Sequence, residues 1–194
     1  MVVGYGTLLY RASLGDTIGK SAASEREMVP VLVSGFRRLF NLRPDHYGTS
    51  NLCGKVGVEN AAMNVEPVEG AILNGLAFWV EPSEIAKLDE RERYYDRLEI
   101  EALDFETGDS LGTGHIYGSK PKARWIERDP EKLLPLWRDV LWARAGSYAV
   151  GRRFGETFDR TTYLADGETL VAHHYIDHLT PGQPPGPEEL LSNG

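Results

Sequence analysis

Strand-like patterns fill roughly the first two-thirds of the chain and helix-like patterns the last third. Val2-Val3 opens a short apolar strand that runs into the glycine-flanked turn Gly4-Tyr5-Gly6-Thr7-Leu8-Leu9. Met28 to Leu42 is rich in β-branched and aromatic residues and is interrupted by Ser34-Gly35, which predicts two strands joined by a turn or bulge. Lys55 to Val58 alternates weakly, and Ala71 to Val80 predicts a well-buried strand. Pro82-Ser83 marks a helix start, with Ser83 able to accept a hydrogen bond from a free N–H of the first turn. That helix runs through Ile85 and Leu88 toward Tyr94. Tyr95 to Leu103 alternates as a half-buried strand, and Glu106 to Asp109 turns it into a second strand ending near Tyr117. Asp129-Pro130 predicts another helix start, with apolar residues from Leu133 to Leu141 at helical spacing as far as about Gly146, and a further helix over Ser147 to Phe158. Strands followed by helices, without strict alternation, predict the α+β class.

A single domain over residues 1–180 is expected from 194 residues, with the Pro/Gly-rich stretch 181–194 as a tail. The composition, 41% hydrophobic and 26% charged, is that of a globular protein. A net charge of -8 argues against nucleic acid as a partner, since that affinity rests on Lys and Arg releasing counterions from phosphates. Arg37, Arg38 and Arg43 sit close together, most simply as a solvated face or as members of internal ion pairs. The lone cysteine, Cys53, rules out an internal disulfide. No apolar run approaches the roughly 20 residues that span a bilayer, and the start lacks a basic leader. The expected location is the cytoplasm, with no membrane partner.

Glu92 is the residue that breaks the pattern. At about 100° per residue it projects within about 10° of the midpoint between Ile85 and Leu88, on the stripe that must face the core. Glu90, Lys87 and Arg91 fall off that stripe and need only solvent. Burial without full pairing raises a carboxylate's pKa toward the range of a general acid/base near neutral pH. The simpler alternatives are that the helix stops before Glu92, or that Glu92 pairs with Arg97 or another arginine. The loop Gly4 to Leu8 has a second possible use. Glycines beside a strand end let successive N–H groups face an anion, although a plain β-turn explains the same residues.

Together these two stretches resemble the gamma-glutamylcyclotransferase-like family, which includes the cyclotransferases, the ChaC enzymes and the AIG2-like proteins. VVGYGTLL is similar to that family's Tyr-Gly-Ser-(Asn)-Leu loop, and LDERERYYDRLEI to its Leu-Asp-x-x-Glu helix end followed by a Tyr-x-Arg strand. GFRRLFN and ILNGLAFWV fall between them in the family's order, so the likeness covers about Val2 to Ile100.

The resemblance implies a mixed β-sheet curled into a small barrel with flanking helices. It also implies cyclisation of a gamma-glutamyl amine, amide or peptide to 5-oxoproline with release of the free amine. Glu92 would be the acid/base, Tyr5, Gly6, Thr7 and Leu8 would bind the glutamyl group, and Tyr95 would line the pocket. Tyr148 is a candidate of the same kind, and either tyrosine also fits simple packing. No cofactor or metal is implied. Thr7 replaces the family's usual Ser, and Arg93 stands where many relatives have Gly, which leaves the substrate's amine portion open.

Three other readings compete. His173, His174 and His178 offer two imidazoles one turn apart, a possible metal pair without an evident third ligand. Serine-hydrolase chemistry lacks its Gly-x-Ser-x-Gly elbow. A non-catalytic ligand-binding or interaction module on the same fold is the remaining alternative, and it gives no reason for an acid at position 92.

Overall fold

The computed structural model describes residues 1–43, 58–119 and 126–175, except for the side chains of Trp137, His174 and Tyr175. The weakly alternating Lys55–Val58 apart from Val58 itself, Cys53, His178 and the tail 181–194 lie outside the described residues.

Five strands close on themselves. Their hydrogen-bonded order is β3-β1-β5-β4-β2, and β2 returns to pair with β3. The strands are β1 (Val2–Gly4), β2 (Val29–Leu42), β3 (Glu59–Phe78), β4 (Tyr95–Asp104) and β5 (Ser110–Ser119). Two short strands extend this barrel, β6 (Leu133–Pro135) beside β3 and β7 (Thr162–Tyr163) beside β2. The architecture is α+β, a closed barrel with flanking helices. Closure leaves the barrel strands few free edges, which is how a small sheet avoids presenting unpaired N–H and C=O groups.

Several strand expectations change in detail. The segment expected as two strands is one, Val29–Leu42, with a bulge between Ser34 and Phe36, where Gly35 adopts φ 80°, a conformation that non-glycine residues rarely take. β3 begins at Glu59, well before Ala71, because its first half pairs with the far half of β2 and with β6.

The helices differ more. Asp129-Pro130 starts only a single turn, in which Asp129 accepts from the N–H of Glu131. Leu133 and Leu134 are then drawn into β6, and Pro135, without an N–H, stops any helix from continuing through that point. The helix begins instead at Trp137: α4 spans Trp137–Val150 and α5 Arg152–Arg160, with the break at Gly151 rather than at Gly146. Two helices occur where none was expected, α1 (Arg11–Ile18) and α2 (Lys20–Glu25). Gly15 and Gly19 dilute their helical pattern, and α1 is held by packing, through Leu14 and Ile18, rather than by propensity.

α3 spans Pro82–Arg91, with Pro82 at its first position. Its cap is Glu81 rather than Ser83: Glu84, three residues on, returns its carboxylate to the Glu81 N–H at 2.8 Å. Arg26 braces the same helix start through Glu84, at 2.6 Å.

Successive residues of β1 face opposite ways, and each face has its own core. Val3 points into the barrel with Val31, Val33, Leu73 and Ile116, and α5 covers that interior with Phe154 and Phe158. Val2 points out against Leu14 and Ile18 of α1 and Leu88 of α3. The three-residue strand is therefore clamped on both sides, which fixes the loop that follows it.

Candidate active site

Topology brings two distant stretches to one end of the barrel. β1 runs parallel to β5, with Val3 opposite Ile116, and β4 runs antiparallel to β5, with Tyr95 opposite Ser119. The C-terminal end of β1 and the N-terminal end of β4 therefore lie together. A cavity of about 230 Å³ sits there, and Tyr5, Gly6, Thr7, Leu8, Glu92 and Tyr95 all line it.

The loop after β1 is a 3-10 turn over Thr7–Leu9. Its bonds are donated by the N–H groups of Leu9 and Tyr10, to the carbonyls of Gly6 and Thr7, so the N–H groups of Thr7 and Leu8 are not used by the turn itself. The loop folds tightly back on the strand: a Cβ on Gly4 would stand 2.8 Å from the Cβ of Leu8. Leu8 is buried in the outer core, whereas Tyr5 is buried in the inner one and donates its hydroxyl to the Tyr117 carbonyl at 2.6 Å. Burial, with the negative charge of Glu92 adding to it, pushes the Tyr5 phenol well above its ordinary value. Tyr5 is thus a neutral donor anchored to the sheet.

Glu92 is the first residue past α3. Its N–H still donates to the Leu88 carbonyl at 2.8 Å, but its backbone leaves the helix at φ -91°, ψ 31°. Its carbonyl accepts from the Tyr95 N–H at 2.8 Å, so Glu92 is the pivot at which α3 turns into β4. The helix does stop before Glu92, and an arginine does pair with it, yet the side chain still reaches the cavity. Its partner is Arg91, at 3.0 Å, rather than Arg97, which pairs with Asp89. The Glu92 side chain is 17% exposed, and it lines the cavity. Burial raises its pKa, and the neighbouring Arg91 charge and hydrogen bond oppose that rise. Tyr95 donates its hydroxyl to the Met63 carbonyl at 2.7 Å, tying the start of β4 to β3 across the cavity.

Tyr148 lies elsewhere. Its hydroxyl donates to Asp159, 2.8 Å away, beside the two-pronged Arg144–Asp159 ion pair that staples α4 to α5. The arginine cluster disperses: Arg37 donates to the Gly167 carbonyl, Arg43 pairs with Glu59, and Arg38 is fully buried. Arg38 donates to Asn74 and lies over the Phe158 ring, and burial lowers its pKa to about 9. His173 lies in the short helix α6 (Val171–Tyr175), and no group of three His, Cys, Asp or Glu able to hold a metal ion occurs among the described residues. No helix among them is long and apolar enough to cross a membrane.

Two charged residues at the cavity escaped the sequence reading. Asp139, in the first turn of α4, is 4% exposed and lines the cavity wall. Its signal is positional: Asp139, Ala143 and Gly146 form one helical stripe, but only once α4 is known to begin at Trp137. Arg91 is the other. Its place off the apolar stripe of α3 marks a residue that leaves the hydrophobic core, and it turns toward the Thr7 loop rather than to solvent.

No family model matches the sequence, and no curated protein matches it either. Solved structures do resemble it. An uncharacterized protein from Homo sapiens superimposes with a TM-score of 0.62 at 13% identity, covering 98% of this chain and 95% of that one. A gamma-glutamyl cyclotransferase superimposes with a TM-score of 0.61 at 14% identity, with the same coverage of both chains. YkqA from Bacillus subtilis gives 0.58 at 13% identity, over 82% of this chain and 52% of that one. The chain has the gamma-glutamyl cyclotransferase fold.

Proposed function

We propose that this chain is a cofactor-independent cyclotransferase that converts a gamma-glutamyl amine, amide or peptide to 5-oxoproline and the free amine. The observation that carries this reading is Glu92: a carboxylate of raised pKa in the same cavity as the turn that follows β1. The likeness in fold to a gamma-glutamyl cyclotransferase supports it.

The reaction is intramolecular, so the protein has little to assemble. The substrate's α-amine and its side-chain amide carbon belong to one molecule, and confinement in a small cavity holds the chain folded for attack. Glu92 takes a proton from the α-ammonium, and the freed nitrogen attacks the amide carbon. The new C–N bond forms as the carbonyl oxygen takes up negative charge, and in this reading the N–H groups of Thr7 and Leu8 are the donors that meet it. Collapse of that intermediate breaks the original amide bond: Glu92 gives its proton to the departing nitrogen and then accepts the second proton from the new ring nitrogen, which passes on to the released amine or to water. Asp139 adds a second carboxyl group to the cavity wall. Tyr5 and Tyr95, each tied by its hydroxyl to a strand carbonyl, keep the walls from collapsing.

The test is release of 5-oxoproline, followed by mass spectrometry, from a panel of gamma-glutamyl amines and peptides that includes glutathione. Glu92→Gln keeps the shape and removes the base, and is expected to lower kcat by about 10²- to 10⁴-fold. Equal turnover by parent and variant would take Glu92 out of the mechanism. Absence of 5-oxoproline across the whole panel would remove the activity.

A further inference from the structure

Arg91 ends α3 one residue before the acid, and its guanidinium bridges three elements. Nε donates to Glu92 Oε1 at 3.0 Å. Nη1 donates to the Ser13 carbonyl at 2.7 Å and to Thr17 Oγ1 at 2.6 Å, both on α1. Nη2 donates to Thr7 Oγ1 at 2.9 Å and to Ser13 Oγ at 3.0 Å. A guanidinium has five N–H donors in a fixed plane, and here each has an acceptor. The side chain is 25% exposed and stands between the cavity and an open groove along α1 and α3, lining both.

We propose that Arg91 is the positioning residue of this site, locking the Glu92 carboxylate and the Thr7 turn into one rigid unit; this rests on Glu92 being the acid/base. A substrate carboxylate is a poor alternative partner, because the guanidinium would have to surrender bonds it already makes. Neighbouring residues inside a helix point about 100° apart, and Arg91 reaches Glu92 because Glu92 has already left the helix. One bond to Oε1 fixes the carboxylate's rotamer and leaves Oε2 for proton transfer. The hydroxyl at position 7 gains a role from the same geometry: it accepts from Arg91, so a Ser would serve as Thr does and a Val would not.

Three variants separate this role from plain structural support. Arg91→Met keeps most of the bulk and removes the charge and the fork. It is expected to lower kcat about 100-fold, the scale of a misplacement of about 1 Å, with KM changed less than about 3-fold. The acid limb of kcat/KM should move to higher pH, since Arg91 holds the Glu92 pKa down. Arg91→Lys restores the charge without the fork, and is expected to recover the acid limb but not kcat. Thr7→Val should lower kcat by less than Arg91→Met, and the double variant should be no worse than Arg91→Met alone.

Titration of the Glu92 carboxyl by carbon NMR, in parent and Arg91→Met, gives a readout that does not need turnover. A midpoint and acid limb that both stay put, or an additive double variant, would overturn the proposal while leaving the cyclotransferase reading intact. Absence of turnover in the parent, with a Glu92 midpoint that rises in Arg91→Met, would sink the reading of the reaction and keep the coupling.

Discussion

Burial makes Glu92 hold its proton more tightly in the folded protein than in the unfolded chain, and that difference bears on stability as well as on the proposed acid/base role. Between the ordinary carboxylate pKa and the raised native one, the native state binds more protons than the unfolded state, so stability falls as pH rises through that window. Below it both states are protonated and the penalty vanishes. Glutamine at 92 has no charge to desolvate, so Glu92→Gln should gain on the parent in melting temperature as pH rises from about 4 to about 8. A gain that shrinks with rising pH would mean that Arg91 outweighs burial and the native carboxylate sits below its usual value. At this scale the apolar stripe through Ile85 and Leu88 sufficed to single out Glu92, because periodicity reports which side chains turn inward. It could not single out Arg91 or Asp139, whose place depends on which neighbour stands across the gap. Tyr148 misled for the same reason: a tyrosine just ahead of a helix looks alike whether its hydroxyl meets a cavity or, as here, Asp159.

Elements were legible where local chemistry agrees with long-range pairing. The hairpin of β4 and β5 shows in its alternation and in the turn at Glu106 to Asp109, and α3 shows in its proline start. Asp129-Pro130 carries equally good helix-start chemistry, but Leu133–Pro135 just after it are claimed by pairing with Glu59–Ala61 of β3, more than 70 positions earlier in the chain. The true start of α4 matters because this helix backs the 3-10 turn. A Cβ at Gly146 would collide with the Leu9 carbonyl oxygen and come within 2.6 Å of its carbon, both backbone atoms that move only if the turn moves. Gly146→Ala would gain about 1 kcal/mol of helix propensity against an overpacking cost of about 1–3 kcal/mol, and contact with backbone places it at the upper end. The expected result is a lower denaturant midpoint together with a higher KM, because α4 pushes on Thr7 and Leu8. A variant as stable as its parent, with KM unchanged, would mean that α4 can step back without disturbing the loop.

At the scale of the whole molecule, the alternation of apolar residues says which face of a strand is buried but not which strand lies beside it. The pairing of β1 with β5 joins residues more than a hundred positions apart, and only the resemblance to a known family led to expect a barrel. That closure sets the size of the site: β1, β3, β4, β5 and α4 all contribute to a cavity of about 230 Å³, below the roughly 300–1,000 Å³ of pockets that enclose a drug-sized ligand. Under the proposed reaction, such a space would take the glutamyl head and leave the rest of a larger substrate outside. Recognition should therefore be strict for the head and loose for the departing amine. Converting the head's α-carboxylate to its amide is expected to lower kcat/KM on the order of 100-fold or more, because the Tyr5–Leu8 turn proposed to hold the glutamyl group would lose a charged acceptor. Exchanging one departing amine for another of similar basicity should change it by less than about 10-fold, since contacts outside the cavity are solvated and weakly selective. The comparison needs the same panel of gamma-glutamyl compounds with amidated counterparts, assayed under subsaturating conditions. A reversed order, with amidation tolerated and the amine discriminated, would place the selective contacts outside this cavity and make its walls incidental to substrate choice.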